Sequence, residues 1–309
     1  MSDSPDVSVV MSVYNGAEHL RETLDSIMAQ EGVSFELVVV DDGSTDQSGE
    51  ILKEYASLDR RVRVIHQENQ GLTRALIRGC LEAKGKYLAR HDVGDLSLPG
   101  RLVKQLACIA ENTDAAFVSC GTRFIGPGKE LLYDVKQDPA ESTRRLKTLE
   151  LDEIRGPSIH GCTLFPRTLY DRVGGYRPDF YFAQDLDLWI RLAEHGRHIV
   201  LPEILYQASI GLGSISGMYR NKQIKTARMI LECARLRREG KSEEPALRKA
   251  RSIRPQAERH RDRLVRARAL YFIGMCLKKR KDPQAQKYFK QALHAFPLHL
   301  KSAARLLMD

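Results

Sequence analysis

The first hundred residues alternate between short apolar runs and segments with apolar residues at helical spacing. Four runs rich in β-branched residues predict strands, and three periodic segments between them predict helices. Strand, helix and strand in this order are typical of βαβ units, so we predict an α/β fold with a mostly parallel sheet flanked by helices. The predicted strands are Val7–Met11, Phe35–Val40, Val62–His66 and Tyr87–Arg90, and the predicted helices are Ala17–Gln30, Gln47–Leu58 and Leu72–Ala83.

Polar residues follow three of the predicted strands at their carboxyl ends. In open α/β sheets, ligands bind beyond these ends. Asp, Ser and Gly also form turns and cap helices, so a single cluster is weak evidence for a site. Clusters on three strands of one sheet favour a binding site instead. They are Ser12, Tyr14 and Asn15 after the first strand, Asp41 and Asp42 after the second, and Asp92 and Asp95 after the fourth.

Motifs of several common enzyme classes are absent from the sequence. No GxxxxGK[ST] phosphate loop follows the first strand, and no GxGxxG opens a helix, which argues against an ATPase or a dinucleotide-dependent oxidoreductase. GxSxG and HExxH are absent as well. A hydrolase or zinc enzyme built on those motifs is therefore not expected.

The cysteines and the apolar runs favour a cytoplasmic protein. Six cysteines lie far apart without a CxxC pair, which is typical of reduced thiols rather than of a disulfide framework or a zinc site. No window contains eighteen consecutive apolar residues, so we predict no transmembrane helix. The first residues are polar and acidic, unlike a secretory signal.

Charge is divided unevenly along the chain. The 309 residues are 42% hydrophobic and 29% charged, as in ordinary globular proteins, and include 49 Lys and Arg against 40 Asp and Glu. Residues 1–219 contain 24 basic and 32 acidic side chains, a net charge of −8, whereas residues 220–309 contain 25 and 8, a net charge of +17. The overall +9 therefore describes an acidic body followed by a strongly basic region.

The sign of the charge changes after a glycine-rich stretch at residues 211–217, which is the best candidate for a domain boundary. We predict one domain over residues 1–217 and a basic α-helical region over residues 218–309. Within the second, the apolar run Leu270–Leu277 and the apolar positions after it resemble one tetratricopeptide-like helix pair.

Four motifs of the α/β part resemble, in order, those of the family-2 glycosyltransferases. They correspond to the first strand with its nucleoside-contacting turn, the second strand with its base-binding loop, the DxD motif with its helix, and the segment that supplies the catalytic base. The resemblance covers about residues 6–207 and implies an inverting, nucleotide-sugar-dependent enzyme with a Rossmann-like sheet of the glycosyltransferase A type. The matching segments are Val7–Asn15, Glu36–Asp46, Gly85–Gln105 and Ala183–Arg191.

The resemblance implies a nucleotide-sugar donor and favours a UDP-sugar. Ser12, Tyr14 and Asp42 would hold the nucleoside, with Tyr14 covering the base and Asp42 accepting a hydrogen bond from a uracil-type N–H. Asp92 would serve the ribose or the sugar. An alternative for Tyr14 is a packing role at the turn it forms with Asn15.

The family usually holds a divalent cation, Mg²⁺ or Mn²⁺, with an Asp-x-Asp-Asp motif. This chain departs from that motif, because Gly94 stands where the family carries an acidic metal ligand. Asp95 is the remaining candidate for the metal. Its alternative role is to cap the helix predicted over Leu98–Glu111.

Cationic side chains offer a different countercharge for the donor diphosphate. Arg90, His91 and Arg101 lie in the same motif, and guanidinium groups bind phosphate well. His160 lies where relatives often present a histidine toward the diphosphate. A lone histidine is more often structural, so both roles stay open for His160.

Asp185 is the candidate catalytic base implied by the resemblance. Inverting transfer needs a carboxylate that takes the proton of the acceptor hydroxyl as its oxygen attacks the anomeric carbon. The family usually has Glu-Asp where this chain has Gln184 and Asp185, so the base is retained. Asp187 is a competing candidate, and the structural alternative for Asp185 is an acid in the first turn of a helix over Asp185–His195.

The Arg-rich run Arg248–Arg268 gives the basic region a candidate docking role. Residues 220–309 would contact an anionic membrane surface or a lipid-diphosphate acceptor, which would place the protein peripherally at the inner face of the membrane. The alternative is a solvated helix face. We expect no nucleic-acid partner, because no aromatic-bearing RNA motif is present.

Together these features predict a glycosyltransferase that moves a sugar from a nucleotide-diphosphate sugar to a saccharide or lipid-linked acceptor. By resemblance, such enzymes commonly build surface polysaccharide or lipopolysaccharide. Two alternatives stay open: a catalytically silent relative that acts as a binding or scaffold subunit, and transfer directly to polyprenyl phosphate. The catalytically silent alternative stays open because Gly94 replaces the acidic metal ligand of the family.

Overall fold

The computed structural model describes residues 4–212, 219–255 and 262–307. Its contacts group the chain into two compact units. The domain boundary predicted after residue 217 lies outside the described residues, so it stays a prediction. Unit 1 comprises residues 1–122, 135–208 and 225–253, and unit 2 comprises residues 123–134, 209–224 and 254–309.

The described residues form nine strands and twelve α-helices. The strands are β1 (Val7–Val13), β2 (Phe35–Asp41), β3 (Val62–His66), β4 (Tyr87–Asp92), β5 (Leu96–Ser97), β6 (Ala115–Ile125), β7 (Leu131–Val135), β8 (Leu164–Pro166) and β9 (Arg197–Ser209). The helices are α1 (Ala17–Met28), α2 (Ser48–Leu58), α3 (Leu72–Glu82), α4 (Arg101–Glu111), α5 (Pro139–Lys147), α6 (Arg167–Arg172), α7 (Gln184–Ala193), α8 (Arg220–Arg238), α9 (Glu244–Arg251), α10 (Asp262–Lys279), α11 (Ala285–Ala295) and α12 (Leu300–Leu307).

The four strands predicted near the start of the chain form a parallel sheet in unit 1. β1 lies between β2 and β4, and β3 follows β2 at the edge, with every pair parallel. Beyond β4 the sheet continues with antiparallel strands, beginning with β8, and the sequence did not predict them. The strand order is β3-β2-β1-β4-β8-β6-β9-β5, and β7 pairs with β6. The α/β fold with a Rossmann-like, mostly parallel sheet is confirmed.

The register of the parallel strands brings the polar strand ends together. Ser12 of β1 is aligned with Asp92 of β4, and Val13 is aligned with Asp41 of β2. Parallel strands present their carboxyl ends at one edge, so the three polar clusters converge there, as predicted.

Apolar side chains of β1 alternate between two cores. Val9 and Met11 belong to a core shared with α1, α2 and α4, whereas Val10 belongs to a core shared with α3, α6 and α7. Because both faces of the parallel strands are covered, those strands have continuous apolar runs in the sequence. Trp189 of α7 lies buried in the second core.

Three helices begin at positions that differ from the prediction, and for α2 the difference is one residue, Ser48 in place of Gln47. α4 begins at Arg101 rather than at Leu98, because Gly100 adopts the left-handed conformation with φ 78°. Asp95 is therefore too far from α4 to cap it. The helix that carries Asp185 begins one residue earlier than predicted and ends at Ala193, and it follows Ala183, a non-glycine residue with φ 52°.

In unit 2, α10 and α11 pack against each other around Leu270, Ile273 and Phe289. A Cβ atom built on Gly274 would lie 2.6 Å from Cε1 of Phe289, so glycine permits the close approach of the two helices. They occupy the segment predicted to form a tetratricopeptide-like pair, an assignment that stays a prediction. None of the described helices is long and apolar enough to cross a bilayer.

Candidate active site

Asp42, just after β2, organises the loop that follows β3. Its carboxylate accepts hydrogen bonds from Nε2 of Gln67 at 2.7 Å and from the backbone N–H groups of Gln70 at 2.9 Å and Gly71 at 2.8 Å. A carboxylate offers about four acceptor positions, so these bonds leave room for one further donor. Asp42 lies at the predicted edge, but it is buried and also has a structural role.

The turn after β1 is fixed to the loop after β2. The backbone N–H of Asn15 donates to Oγ of Ser44 at 3.0 Å, and Oδ1 of Asn15 accepts from the backbone N–H of Thr45 at 2.8 Å. Ser12 is half-buried, and the side chain of Tyr14 is 55% exposed. Tyr14 is thus an open aromatic residue beside a fixed turn at the sheet edge, which disfavours the packing role for it.

Arg90 of β4 is buried and orients Asp92. Its guanidinium donates to the backbone carbonyl of Val10 at 3.1 Å and also forms an ion pair with Asp92. The Asp92 carboxylate remains 30% exposed, whereas the Arg90 side chain is 1% exposed. Asp92 is therefore the member of this pair that a ligand can reach.

Arg101 and His91 lie fully buried beneath the sheet edge. The Arg101 guanidinium donates to the backbone carbonyls of Arg90 at 2.7 Å and Gly161 at 2.6 Å, and to Oγ of Ser97 at 2.8 Å. Burial, followed by the charge of Arg101, holds the pKa of His91 well below its usual value. Both side chains were predicted as diphosphate ligands, but here they contact other protein groups and are closed to solvent.

Asp95 is also buried, and Oδ2 of its carboxylate accepts a hydrogen bond of 2.9 Å from the Tyr206 hydroxyl. The same Tyr206 oxygen accepts from the backbone N–H of Asp92 at 3.3 Å. Burial is the main cause that raises the pKa of Tyr206 well above its usual value, so its hydroxyl stays protonated. Tyr206 thus ties both aspartates to β9, a contact that the motifs gave no signal for.

The donor set for a divalent cation is small. Within the described residues, no group of three or more His, Cys, Asp or Glu side chains is placed to hold a metal ion. Gly94 has φ 89°, and its neighbour Asp95 is committed to Tyr206. Asp92 remains as an accessible carboxylate, which fits a cation held by one carboxylate, water and the donor phosphates.

Asp185 lies in the first turn of α7 and is half-buried. Burial is the largest influence on its carboxyl group and raises its pKa to about 6. The negative charge of Asp92 raises this pKa further, and the Arg90 guanidinium lowers it. Asp185, from one motif, is therefore close enough to interact with Arg90 and Asp92, which belong to another.

His160 lies in a short 3₁₀ helix over His160–Cys162. Its Nε2 is 2.6 Å from the Tyr176 hydroxyl oxygen, and its ring is buried. Burial, followed by the charge of Arg90, holds the pKa of His160 well below its usual value. A neutral imidazole paired with Tyr176 favours a structural role.

Asp187 is bound within the protein, unlike Asp185. Its carboxylate is 1% exposed and forms ion pairs with Arg177 and with Arg191, the latter at 2.6 Å. Although burial acts to raise the pKa of Asp187, Arg191 and Arg177 lower it. Arg177 also donates to Glu243 at 2.6 Å, so Asp187 fixes α7 against its surroundings.

Sequence comparisons identify relatives of this chain. It matches the family model described as glycosyl transferase family 2 over residues 8–174. An uncharacterised glycosyltransferase of Rickettsia prowazekii is 34% identical over 191 residues, which are 61% of this chain and 58% of that protein. EpsE of Bacillus subtilis, named as a candidate glycosyltransferase, is 33% identical over 215 residues, which are 67% of this chain and 74% of EpsE. The chain thus spans less than two thirds of the length of the Rickettsia relative.

Solved structures share the fold. TarS of S. aureus in complex with UDP-GlcNAc aligns with a TM-score of 0.58 at 17% identity, covering 94% of this chain and 81% of that one. The mannosyltransferase PcManGT of Pyrobaculum calidifontis, in complex with GDP-Man and Mn²⁺, aligns with a TM-score of 0.56 at 20% identity, covering 99% and 84%. The fold is of the glycosyltransferase A type. Because the family model matches more than half of the sequence, the chain belongs to glycosyl transferase family 2.

Proposed function

We propose that this chain transfers a sugar from a nucleotide-diphosphate sugar to a hydroxyl group of a saccharide or lipid-linked acceptor, with inversion at the anomeric carbon. The observation that carries the proposal is Asp185, a half-buried carboxyl group with a pKa of about 6 beside Asp92 and Arg90. A general base is most effective when its pKa lies near the working pH. Asp187, by contrast, has both arginine partners and a lowered pKa.

The proposed step has Asp185 as the base. Its carboxylate takes the proton of the acceptor hydroxyl while that oxygen forms a bond to the anomeric carbon. The bond from the anomeric carbon to the diphosphate oxygen breaks, and the nucleoside diphosphate leaves with the electron pair. Attack from the face opposite the leaving group inverts the configuration.

We assign the donor to the sheet edge. The exposed ring of Tyr14 covers the base, Ser12 and Asp42 bind the nucleoside, and Asp92 binds the ribose or the sugar. TarS was solved in complex with UDP-GlcNAc and PcManGT in complex with GDP-Man, so structures of this fold contain either base. We propose a UDP-sugar, which the resemblance favours, and Asp42 retains acceptor capacity for the ring N–H of uracil.

We assign Arg90, His91, Arg101 and His160 to positioning rather than to contact with the diphosphate. Arg101 holds the backbone of Arg90 and Gly161, and Arg90 in turn orients Asp92. Their burial keeps this framework rigid, and a rigid site holds its reacting groups in productive geometry.

The site suits a divalent cation, Mg²⁺ or Mn²⁺, with Asp92 as its protein ligand. Asp95 is buried and accepts a hydrogen bond from Tyr206. When bound, the cation neutralises the charge that develops on the leaving diphosphate. Among the described residues of this motif, Asp92 is the accessible carboxylate, so we expect the cation to bind together with the nucleotide rather than before it.

We further propose a role in surface polysaccharide or lipopolysaccharide synthesis, with residues 220–309 near an anionic membrane surface. The support is the net charge of +17 in those residues. Residues 256–261 of the Arg-rich run lie outside the described part of the chain. Sedimentation with vesicles that contain or lack anionic lipid tests this location, and equal recovery with both would contradict it.

Release of nucleoside diphosphate from a panel of UDP- and GDP-sugars tests the proposed activity. With Mg²⁺ or Mn²⁺ and a saccharide acceptor mixture, we expect Asp185→Asn to lower the release rate by a factor of at least about 100. Asp171→Asn, at an exposed aspartate on α6, is the matched control and should leave the rate unchanged. If the unaltered protein releases no more nucleotide than Asp185→Asn with any donor, the scaffold alternative replaces the enzyme.

A further inference from the structure

Unit 2 contains a groove that is lined by none of the residues assigned to the proposed reaction. Its volume is about 710 Å³, and it runs between β7 and the C-terminal half of α10. Its lining combines aromatic, cationic and acidic side chains. Among them are Tyr133 and Asp134 on the strand side, and Phe272, Lys279 and Arg280 on the helix side.

Aromatic rings form one wall of the groove. Phe272 is 45% exposed, so part of its ring is open to a ligand. The Tyr133 ring meets it edge-on, with the centroids 6.2 Å apart, and stacks on Phe124 with the centroids 4.8 Å apart. These contacts fix the ring positions, so the wall is a preformed apolar platform.

Cationic side chains stand at the end of this wall. Lys279 and Arg280 are exposed, and among the described residues neither forms an ion pair. Asp134 is neutralised by Arg123 at 3.0 Å. Basic residues at a helix C-terminus are favoured by the helix dipole, but the dipole does not account for an exposed phenylalanine beside them. The groove therefore presents a net positive charge next to aromatic faces.

We propose that this groove binds an anionic saccharide chain. The apolar C–H face of a sugar ring would pack on Phe272 and Tyr133, and its acidic groups would bind Lys279 and Arg280. The choice of a saccharide rests on the proposed function, since a glycosyltransferase handles a sugar chain as acceptor and as product. A groove also suits a chain-like ligand better than it suits the flat surface of a bilayer.

Calorimetric titration of the full-length protein with hexagalacturonate tests the groove, with maltohexaose as the neutral counterpart. We expect hexagalacturonate to bind at least about tenfold more tightly than maltohexaose, and Phe272→Ala and the double variant Lys279→Ala/Arg280→Ala each to weaken it about tenfold. Lys290→Ala removes an exposed cation of α11 away from the groove lining and should leave binding unchanged.

Three results would overturn the proposal. The first is unchanged hexagalacturonate binding in both groove variants, and the second is weaker binding in Lys279→Ala/Arg280→Ala but not in Phe272→Ala. The third is that hexaglutamate or anionic vesicles bind as tightly as hexagalacturonate and are weakened equally by the variants. Melting temperatures of the variants establish that each is folded. Nucleotide release measured on the same samples separates the two ideas. If the unaltered protein shows no nucleotide release that depends on Asp185, the proposed function is contradicted. If this release is present but the groove variants bind hexagalacturonate as the unaltered protein does, only the groove proposal is contradicted.

Discussion

The hydroxyl group of Tyr206 donates a hydrogen bond of 2.9 Å to Oδ2 of Asp95, which joins β9 to the loop after β4. Removal of the hydroxyl leaves a buried carboxylate without this donor and the backbone N–H of Asp92 without its acceptor. We expect Tyr206→Phe to lower the free energy of unfolding by about 2 kcal/mol and to lower kcat more than it raises KM. Chemical denaturation and steady-state kinetics measure both effects.

Tyr55→Phe is the control for Tyr206→Phe, because Tyr55 also donates to a carboxylate, Asp25, but at an exposed position. We expect it to change stability by less than about 1 kcal/mol. Equal effects of the two variants on stability and kcat would contradict the role given to Tyr206.

The pH dependence of transfer reports on Asp185. Because the base must be ionised, we expect kcat/KM to rise with pH through a pKa of about 6. Asp92→Asn removes a negative charge that raises this pKa, so the rising limb should move to lower pH, at a lower overall rate. A limb that stays in place in Asp92→Asn, or that is absent in the unaltered enzyme, would argue against Asp185 as the base.

Neutralising Asp185 should stabilise the protein at alkaline pH. The folded pKa of about 6 lies above the ordinary value of 3.8, so ionisation of Asp185 costs folding free energy as the pH rises past 4. We expect Asp185→Asn to be more stable than the unaltered protein by about 3 kcal/mol at pH 8, and equally stable below pH 4. Denaturant titrations at the two pH values give the comparison.

Asp187→Asn should have the opposite effect on stability. It leaves Arg177 and Arg191 without their buried carboxylate partner, so we expect a loss of about 3 kcal/mol at pH 8. The pKa of Asp187 is lowered, so its contribution to stability is lost as the pH falls, and the difference between variant and unaltered protein should shrink in acid. The same sign of effect for both aspartates would refute the separation of their roles.

Gly94→Asp tests the role of the missing carboxylate. Its φ of 89° is unfavourable for a side chain, but a Cβ there meets no atom closer than 3.8 Å, so we expect a loss of about 1 kcal/mol in stability. A second acidic ligand beside Asp92 should increase the rise in melting temperature that UDP with Mn²⁺ gives over UDP alone. Gly174→Asp is the matched control, with φ 81° and open surroundings. An unchanged response to Mn²⁺ in Gly94→Asp would show that residue 94 does not face the cation.

The sequence predicted the parallel strands, their helices and the polar edge, because these follow from local patterns. The motifs also singled out Asp185, Asp92 and Arg90, which interact in the structure, while the roles given to them stay predictions. What could not be predicted depends on contacts between distant segments. Tyr206 lies 111 residues from Asp95, and the pairing of Arg177 with Asp187 becomes visible only when α7 is in place.

The structure disfavours a predicted contact with the donor where the side chain is buried. Arg101 and His91 carry the right chemistry for a diphosphate, and no pattern in the sequence indicates that α4 and Tyr206 would enclose them. The left-handed conformation at Gly100 likewise moves the start of α4, and a glycine in the sequence does not specify its own φ.

The conformation at Gly94 also bears on how the family changes over evolutionary time. The backbone tolerates a side chain there at modest cost, and every glycine codon is one nucleotide from a codon for an acidic residue. Gain and loss of a carboxylate at this position are therefore single, reversible mutational steps. Under the proposed cation binding at Asp92, such a step would add or remove a protein ligand of the cation without rebuilding the sheet that holds the site.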